Sequence, residues 1–425
     1  MQPPSSPGAQ GNSQVKPSPE TCVKCRGRLW CGPVCWILEK HQTKQQSLHQ
    51  IQEKSFSGSS PPSVFVSHYG YPKVKMAPMA PTYFAEDADL LDNPERWFGT
   101  PLETLVNYRT QLVRSNIPVS IHAAKDPGKD LQQVQEIAMS VKKLDVAIEL
   151  TKKPQAELHF TDAAPPMGPQ APLKSLALQE NPSIPKKVDY LVSDTHAKAA
   201  TAMNELYADD IPVHHLYKLL SVGTLGEKDN RKLVPTRWAI TAVDDTIGKQ
   251  EIDGIKDFPS IDQFQVFQSH YLDNHFFVLL IPREWSFDIM EAYRPGGFWS
   301  KEMREVHMSC DYEFYEGRKN YAENVAGGYY ATRLAVVEYL REQRKQAACV
   351  IFREIGPGYQ QPMGVWQCRQ NVRNAMQSEK KEFGSLQDAL DFLSTQLTIP
   401  MGEWKKNSKL LDRMQHQSRI LDFFK

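Results

Sequence analysis

Four cysteines carry the clearest chemistry in this chain. Cys22, Cys25, Cys31 and Cys35 form a C-x2-C pair and a C-x3-C pair separated by five residues. A C-x2-C pair sets two thiolates on one tight turn. The second pair, opened by Gly32-Pro33, can face them from the other side. Four thiolates so placed favour zinc, and a site filled by four protein ligands is structural rather than catalytic. The segment is too short to bury a core, so metal binding would supply most of its folding energy. Two alternatives stay open: an iron–sulfur cluster, which takes the same ligands, and four unrelated free thiols. His41 is a substitute ligand. Lys24, Arg26, Arg28 and Trp30 sit within the knuckle and suit either nucleic-acid contact or a solvated rim.

Candidate acids and bases are more scattered. Asp194 and His196 follow Val188–Val192, which reads as a strand, and precede an Ala-rich helix. They are catalytic candidates, with helix capping by Asp194 as the plainer reading. Residues 237–245 read as a strand ending in Asp244 and Asp245. Paired acids there would hold a divalent cation for phosphodiester chemistry or cap the next helix. Glu313 and Glu316 stand behind them. Gly327-Gly328, just before a helix, either lets backbone N–H groups approach a phosphate or makes an ordinary turn. Whether the chain is an enzyme stays open.

The last residues read Q-x-x-I-x-x-F-F, with Gln417, Ile420, Phe423 and Phe424 at the defining positions. Ile420 and Phe423 lie one helical turn apart, and Phe424 projects beside them. The pattern resembles the PIP box, the peptide by which replication and repair proteins bind the sliding clamp PCNA. A helix docked on its own domain is the alternative.

The elements that must position these groups form a mixed α+β chain. The chain has 425 residues, with 50 basic and 50 acidic side chains. Any binding of nucleic acid must therefore be local rather than driven by net charge. No apolar run reaches the ~18 residues of a membrane span, and the start lacks a signal-peptide pattern. Cysteine usage fits a reducing, cytoplasmic compartment. Residues 1–19 read as disordered, 20–40 as the finger and 41–62 as a polar linker. Helices are expected at 102–114, 131–150, from Ala197, from Thr246, at 285–293, after Gly328, at 364–376 and at 385–397. Strands are expected at 188–192, 237–245, 311–317 and 349–354, with a hairpin at 264–281. Residues 162–187 read as an irregular loop and 401–425 as a tether for the terminal motif.

Together with the finger and the terminal motif, two central stretches carry a resemblance. They are Ser63-Val-Phe-Val-Ser-His-Tyr-Gly-Tyr-Pro72 and Lys232-Leu-Val-Pro-Thr-Arg-Trp-Ala-Ile-Thr241. The chain resembles the archaeal Nre family of DNA repair proteins across nearly its whole length. The resemblance implies an N-terminal Nre-like domain over 63–300 and a C-terminal one over 301–400. It also implies an archaeal cytoplasm, a role in DNA repair and clamp binding through the tail. It supplies no reaction and no catalytic residues. A DNA repair factor recruited by the clamp is the leading expectation. The alternatives are a metal-dependent enzyme on nucleic acid or a nucleotide, and a non-catalytic scaffold.

Overall fold

The computed structural model describes residues 17–27, 29–32, 35, 37, 53–155 and 164–416. Among these the fold is α+β, with twelve helices and two six-stranded mixed sheets. A short helix α1 (Pro19–Cys25) opens it, capped by Ser18.

The first sheet holds β1 (Ser55–Ser60), β2 (Ser63–Val66), β3 (Lys73–Ala80), β4 (Val113–Ser120), β5 (Leu144–Leu150) and β6 (Gln170–Leu178). Their order is β1-β5-β6-β4-β3-β2, antiparallel except where β4 meets β6. Helix α2 (Leu102–Thr110) precedes β4. In β5 buried and half-buried residues alternate, so Leu144, Val146, Ile148 and Leu150 share one face. That face packs with Leu131, Val134 and Ile137 of α3 (Lys129–Met139).

A helical layer follows: α4 (Lys186–Ser193), α5 (Ala199–Ala208), α6 (Val213–Ser221) and the long α7 (Thr236–Ile255). The second sheet comes next, in the order β10-β9-β11-β8-β7-β12. It contains β7 (Phe264–Tyr271), β8 (Asn274–Ile281), β9 (Ser286–Tyr293), β10 (His307–Glu313), β11 (Ala348–Ile355) and β12 (Lys381–Phe383). Residues on both sides of position 300 thus build one sheet. Phe276, Val278 and Leu280 of β8 face the core shared with α7 and with α8 (Gly327–Gln343) and α9 (Trp366–Gln377). Phe277, Leu279 and Ile281 point the other way, onto α10 (Leu386–Gln396), α11 (Met401–Asn407) and α12 (Lys409–His416). Covered on both faces, β9 and β11 are buried at every position.

Several sequence expectations change. Residues 131–150 split into α3 and β5, because the apolar positions after Ser140 fit a period of two as well as 3.6. Val188–Val192 lies in α4 and residues 237–245 lie in α7. Each helix starts directly after a proline, Pro185 and Pro235, which presets an extended entry. Residues 285–293, expected as helix, are β9; a strand buried on both faces has no alternation to read. The supposed linker contains β1, and the supposed loop 162–187 contains β6. Helix α2 enters from Pro101, which stands at the cap without a side-chain bond. The tether is structured as far as His416. Trp404 is fully buried against Phe352, and Leu410 and Leu411 are buried with it. The carboxylate of Asp288, itself fully buried, accepts from Ser408 Oγ (2.7 Å) and Leu410 N (3.0 Å) at the start of α12.

Candidate functional site

The two central stretches singled out in the sequence meet in space. Val66 N donates to Thr236 Oγ1 (2.9 Å), fixing the end of β2 to the start of α7. Tyr71 then lies against Trp238, with ring centroids 5.3 Å apart. Arg237 Nη1 stands 3.4 Å from His68 Nε2. Among the described residues no carboxylate pairs with Arg237. Burial first, and the Arg237 charge second, bring His68 down to about 4, so its ring is neutral at physiological pH. A cation in the first turn of a helix opposes the helix dipole, at a cost of about 0.3–1 kcal/mol. Nothing in the local structure of α7 asks for it there.

Arg237 and Trp238 form one side of a cavity of about 580 Å³. This is within the range of small-molecule and cofactor sites. The amino end of α8 also lines it, through Gly327 and Gly328. Its cap residue, Ala326, makes no side-chain capping bond, and no acid lies in its first turn. Ala326, before it, takes φ 60° and ψ −131°, a conformation costly for a residue with a Cβ. Gly328 allows close packing: a Cβ there would lie 2.9 Å from Glu291 Oε1. The amino end of a 17-residue helix presents N–H groups and positive potential to the cavity.

The floor is a buried charge network. Glu291 accepts from Arg26 Nη1 (3.0 Å) and from Arg353 Nη1. Arg353 is held in turn by Asn274 Oδ1, at 3.1 and 2.6 Å. Arg26 comes from the cysteine-rich segment. It takes the left-handed position that ends α1 (φ 47°) and plugs into the body. There it also donates to Tyr293 Oη (2.7 Å) and the Asn324 carbonyl (2.6 Å). Trp30 of the same segment joins the cavity wall. Cys368 also lines the floor; burial pushes its thiol up to about 11 against the pull of Arg353. It is therefore a neutral thiol, not a thiolate nucleophile.

Of the sequence-predicted acids, only Asp245 reaches this cavity. It is engaged by Arg333 Nη2 (2.7 Å) and Lys249 Nζ (2.7 Å). Asp244 faces elsewhere, fully buried, with both oxygens 2.7 Å from Arg369 Nη2. The two acids therefore do not converge on a cation, because adjacent helical positions diverge by about 100°. Asp194 accepts backbone N–H bonds from His196 (2.8 Å) and Ala197 (3.1 Å), organising the turn before α5; the His196 side chain is exposed. Glu313 is buried against Arg333 (2.8 Å), and Glu316 is exposed. A group outside the predicted set, His270, Asp273 and His275, has ligand atoms within 4.8 Å of one another. Asp273 there also accepts from Gly358 N (2.6 Å), which ties the β7–β8 turn to the loop after β11.

Cys31 lies beside Cys25, with Cys22 and Cys35 near enough to act on its charge. Cys25 and Cys31 sulfurs lie 3.8 Å apart. A tetrahedron with ~2.3 Å zinc–sulfur bonds has edges of about 3.8 Å. Burial raises Cys31 to about 11, and the nearby Cys25, Cys22 and Cys35 add to the rise. Mutual repulsion of this kind is what a bound cation would relieve. His41 and Arg28, and the terminal residues Gln417, Ile420, Phe423 and Phe424, lie outside the described residues.

Sequence reasoning found the glycine pair and the Arg-Trp stretch separately but did not join them. It passed over Glu291 and Arg353 entirely. An arginine directly after a Pro-Thr helix start was the available signal.

Comparison with known proteins identifies the family of the chain. A family model described as Archaeal Nre, N-terminal, matches residues 30–300, and one described as Archaeal Nre, C-terminal, matches 313–423. The chain is 39% identical over 392 residues to DNA repair protein NreB of Archaeoglobus fulgidus, covering 92% of this chain and 97% of that protein. It is 36% identical over 386 residues to DNA repair protein NreA of the same organism, covering 90% and 95%. It is 32% identical over 394 residues to DNA repair protein NreA of Haloferax volcanii, covering 91% and 93%. No solved structure matches the chain significantly. The chain therefore belongs to the archaeal Nre family.

Proposed function

We propose that this protein acts in DNA repair in an archaeal cytoplasm. On this reading it engages DNA at the cavity between α7 and α8 and is brought there by the sliding clamp PCNA. The observation that carries the reading is the cavity itself: an arginine without an acidic partner among the described residues and a helix end whose cap residue makes no side-chain bond, set among aromatic rings. The names of its relatives, DNA repair proteins NreA and NreB, support the same reading. Zinc held by Cys22, Cys25, Cys31 and Cys35 would be structural. Its task would be to hold Arg26 and Trp30 in the cavity wall.

Recruitment rests on Gln417, Ile420, Phe423 and Phe424. With equal numbers of acidic and basic residues, the protein has no general attraction to phosphate. Tethering to a clamp already on DNA raises the effective concentration of the cavity without any further contact. The motif would follow directly on α12, which is anchored through Asp288. No helix of the described residues is long and apolar enough to cross a membrane.

The test is a clamp-binding titration with the Phe423→Ala, Phe424→Ala variant. Loss of binding at unchanged melting temperature supports recruitment through the tail. Retained binding, or loss of folded protein, contradicts it.

A further inference from the structure

The cavity has a closed floor, and that restricts what can enter it. Glu291, Arg353 and Cys368 at the bottom are all at most 5% exposed. A continuous strand threading past has no exit on that side. The mouth is different. Trp30, Trp238 and Tyr321 line it and are 62%, 45% and 49% exposed. Tyr71, 50% exposed, extends the surface beyond Trp238. Exposed flat rings beside a cationic groove are the usual platform for unpaired bases, since every base offers a face to stack on.

The charges inside point to one anionic group. Arg26 and Arg353 both bond Glu291 at the floor. Arg237 stands at the wall with no carboxylate partner among the described residues, next to a histidine that is neutral. Asp245 is already matched by Arg333 and Lys249. Gln367, 1% exposed, lines the cavity, and its amide nitrogen donates to the Cys368 sulfur (3.0 Å). That bond uses one of its two hydrogens and leaves the other for a ligand acceptor.

We propose that the cavity receives the terminal nucleotide of single-stranded DNA, with its phosphate between Arg237 and the amino end of α8 and the neighbouring bases stacked on Trp238 and Tyr71. This rests on the reading that the cavity engages DNA, and narrows it to strand ends. The shared chemistry is a nucleoside phosphate, which a free nucleotide would also offer.

Fluorescence anisotropy with full-length, zinc-loaded protein separates the cases. A labelled linear oligonucleotide is competed by unlabelled linear DNA, by closed circular single-stranded DNA of the same sequence, and by deoxynucleoside monophosphate. We expect the linear competitor to be at least about tenfold more effective than either of the others. Trp238→Ala and Arg237→Gln should each weaken binding by about tenfold at unchanged melting temperature. Equal competition by the circle overturns the strand-end proposal while leaving DNA binding at the cavity intact. Competition by the mononucleotide as strong as by the oligonucleotide assigns the cavity to free nucleotides instead. No binding of any DNA overturns both the proposal and the reading beneath it.

Discussion

Asp244 offers a sharp separation between a structural and a catalytic acid. Its carboxylate is fully buried, and the guanidinium of Arg369, 1% exposed, meets it at 2.7 Å on both oxygens and at 3.1 Å through Nε. Removing the carboxylate leaves a buried, uncompensated positive charge, which costs about 3–5 kcal/mol. At ~1–2 °C per kcal/mol for a body of more than about 300 residues, Asp244→Ala should lower the melting temperature by roughly 3–10 °C. Scanning calorimetry measures this directly. The double variant Asp244→Leu, Arg369→Met replaces the ion pair by apolar side chains and should melt above the single Asp244→Ala variant. A wild-type melting temperature for Asp244→Ala, with loss of a nucleic-acid activity, would refute this reasoning and restore the acid as a catalytic candidate.

Two further outcomes are expected. A strong chelator should release about one zinc per chain and weaken DNA binding, because Arg26 and Trp30 leave the cavity with the finger; a coloured, iron-containing protein, or binding indifferent to the chelator, would contradict it. The His68 ring should not titrate by NMR between pH 8 and about pH 5.5. Its folded pKa of about 4 lies below the ordinary value, so its share of stability is complete above about pH 6.5 and is lost as pH falls towards 4; a midpoint near 6.5 would show that the ring is solvated and not set against Arg237.

The sequence exposed the periodicity of isolated helices such as α10, where Ser385 caps and Leu390 and Leu393 face inward. It misled where burial removes the pattern. β9 carries eight consecutive buried residues, but Ser286, Asp288 and Glu291 interrupt the apolar run that would mark a strand covered on both faces. It misled again at 401–416, where charged residues surround Trp404, Leu410 and Leu411 and hide a packed pair of short helices. The cavity was illegible for a different reason. Its walls come from positions near 26, 237, 291, 327 and 353, and each residue has an ordinary structural reading by itself. Asp244 and Asp245 looked like a pair because they are adjacent in sequence, yet the helix sends them to different arginines. Of the motifs read from the sequence, Gly327-Gly328 and Arg237-Trp238 both line the cavity, but their separation in the chain gave no sign that they meet.

Photocrosslinking tests the central claim most directly. A single-stranded oligonucleotide carrying a photoreactive base at its terminal position is irradiated with the full-length protein, and the modified peptides are mapped by mass spectrometry. The account predicts adducts on Trp238, Trp30 or Tyr321, abolished by unlabelled linear DNA and reduced in Arg237→Gln. Adducts confined to residues away from this cavity, or undiminished in that variant, would contradict it.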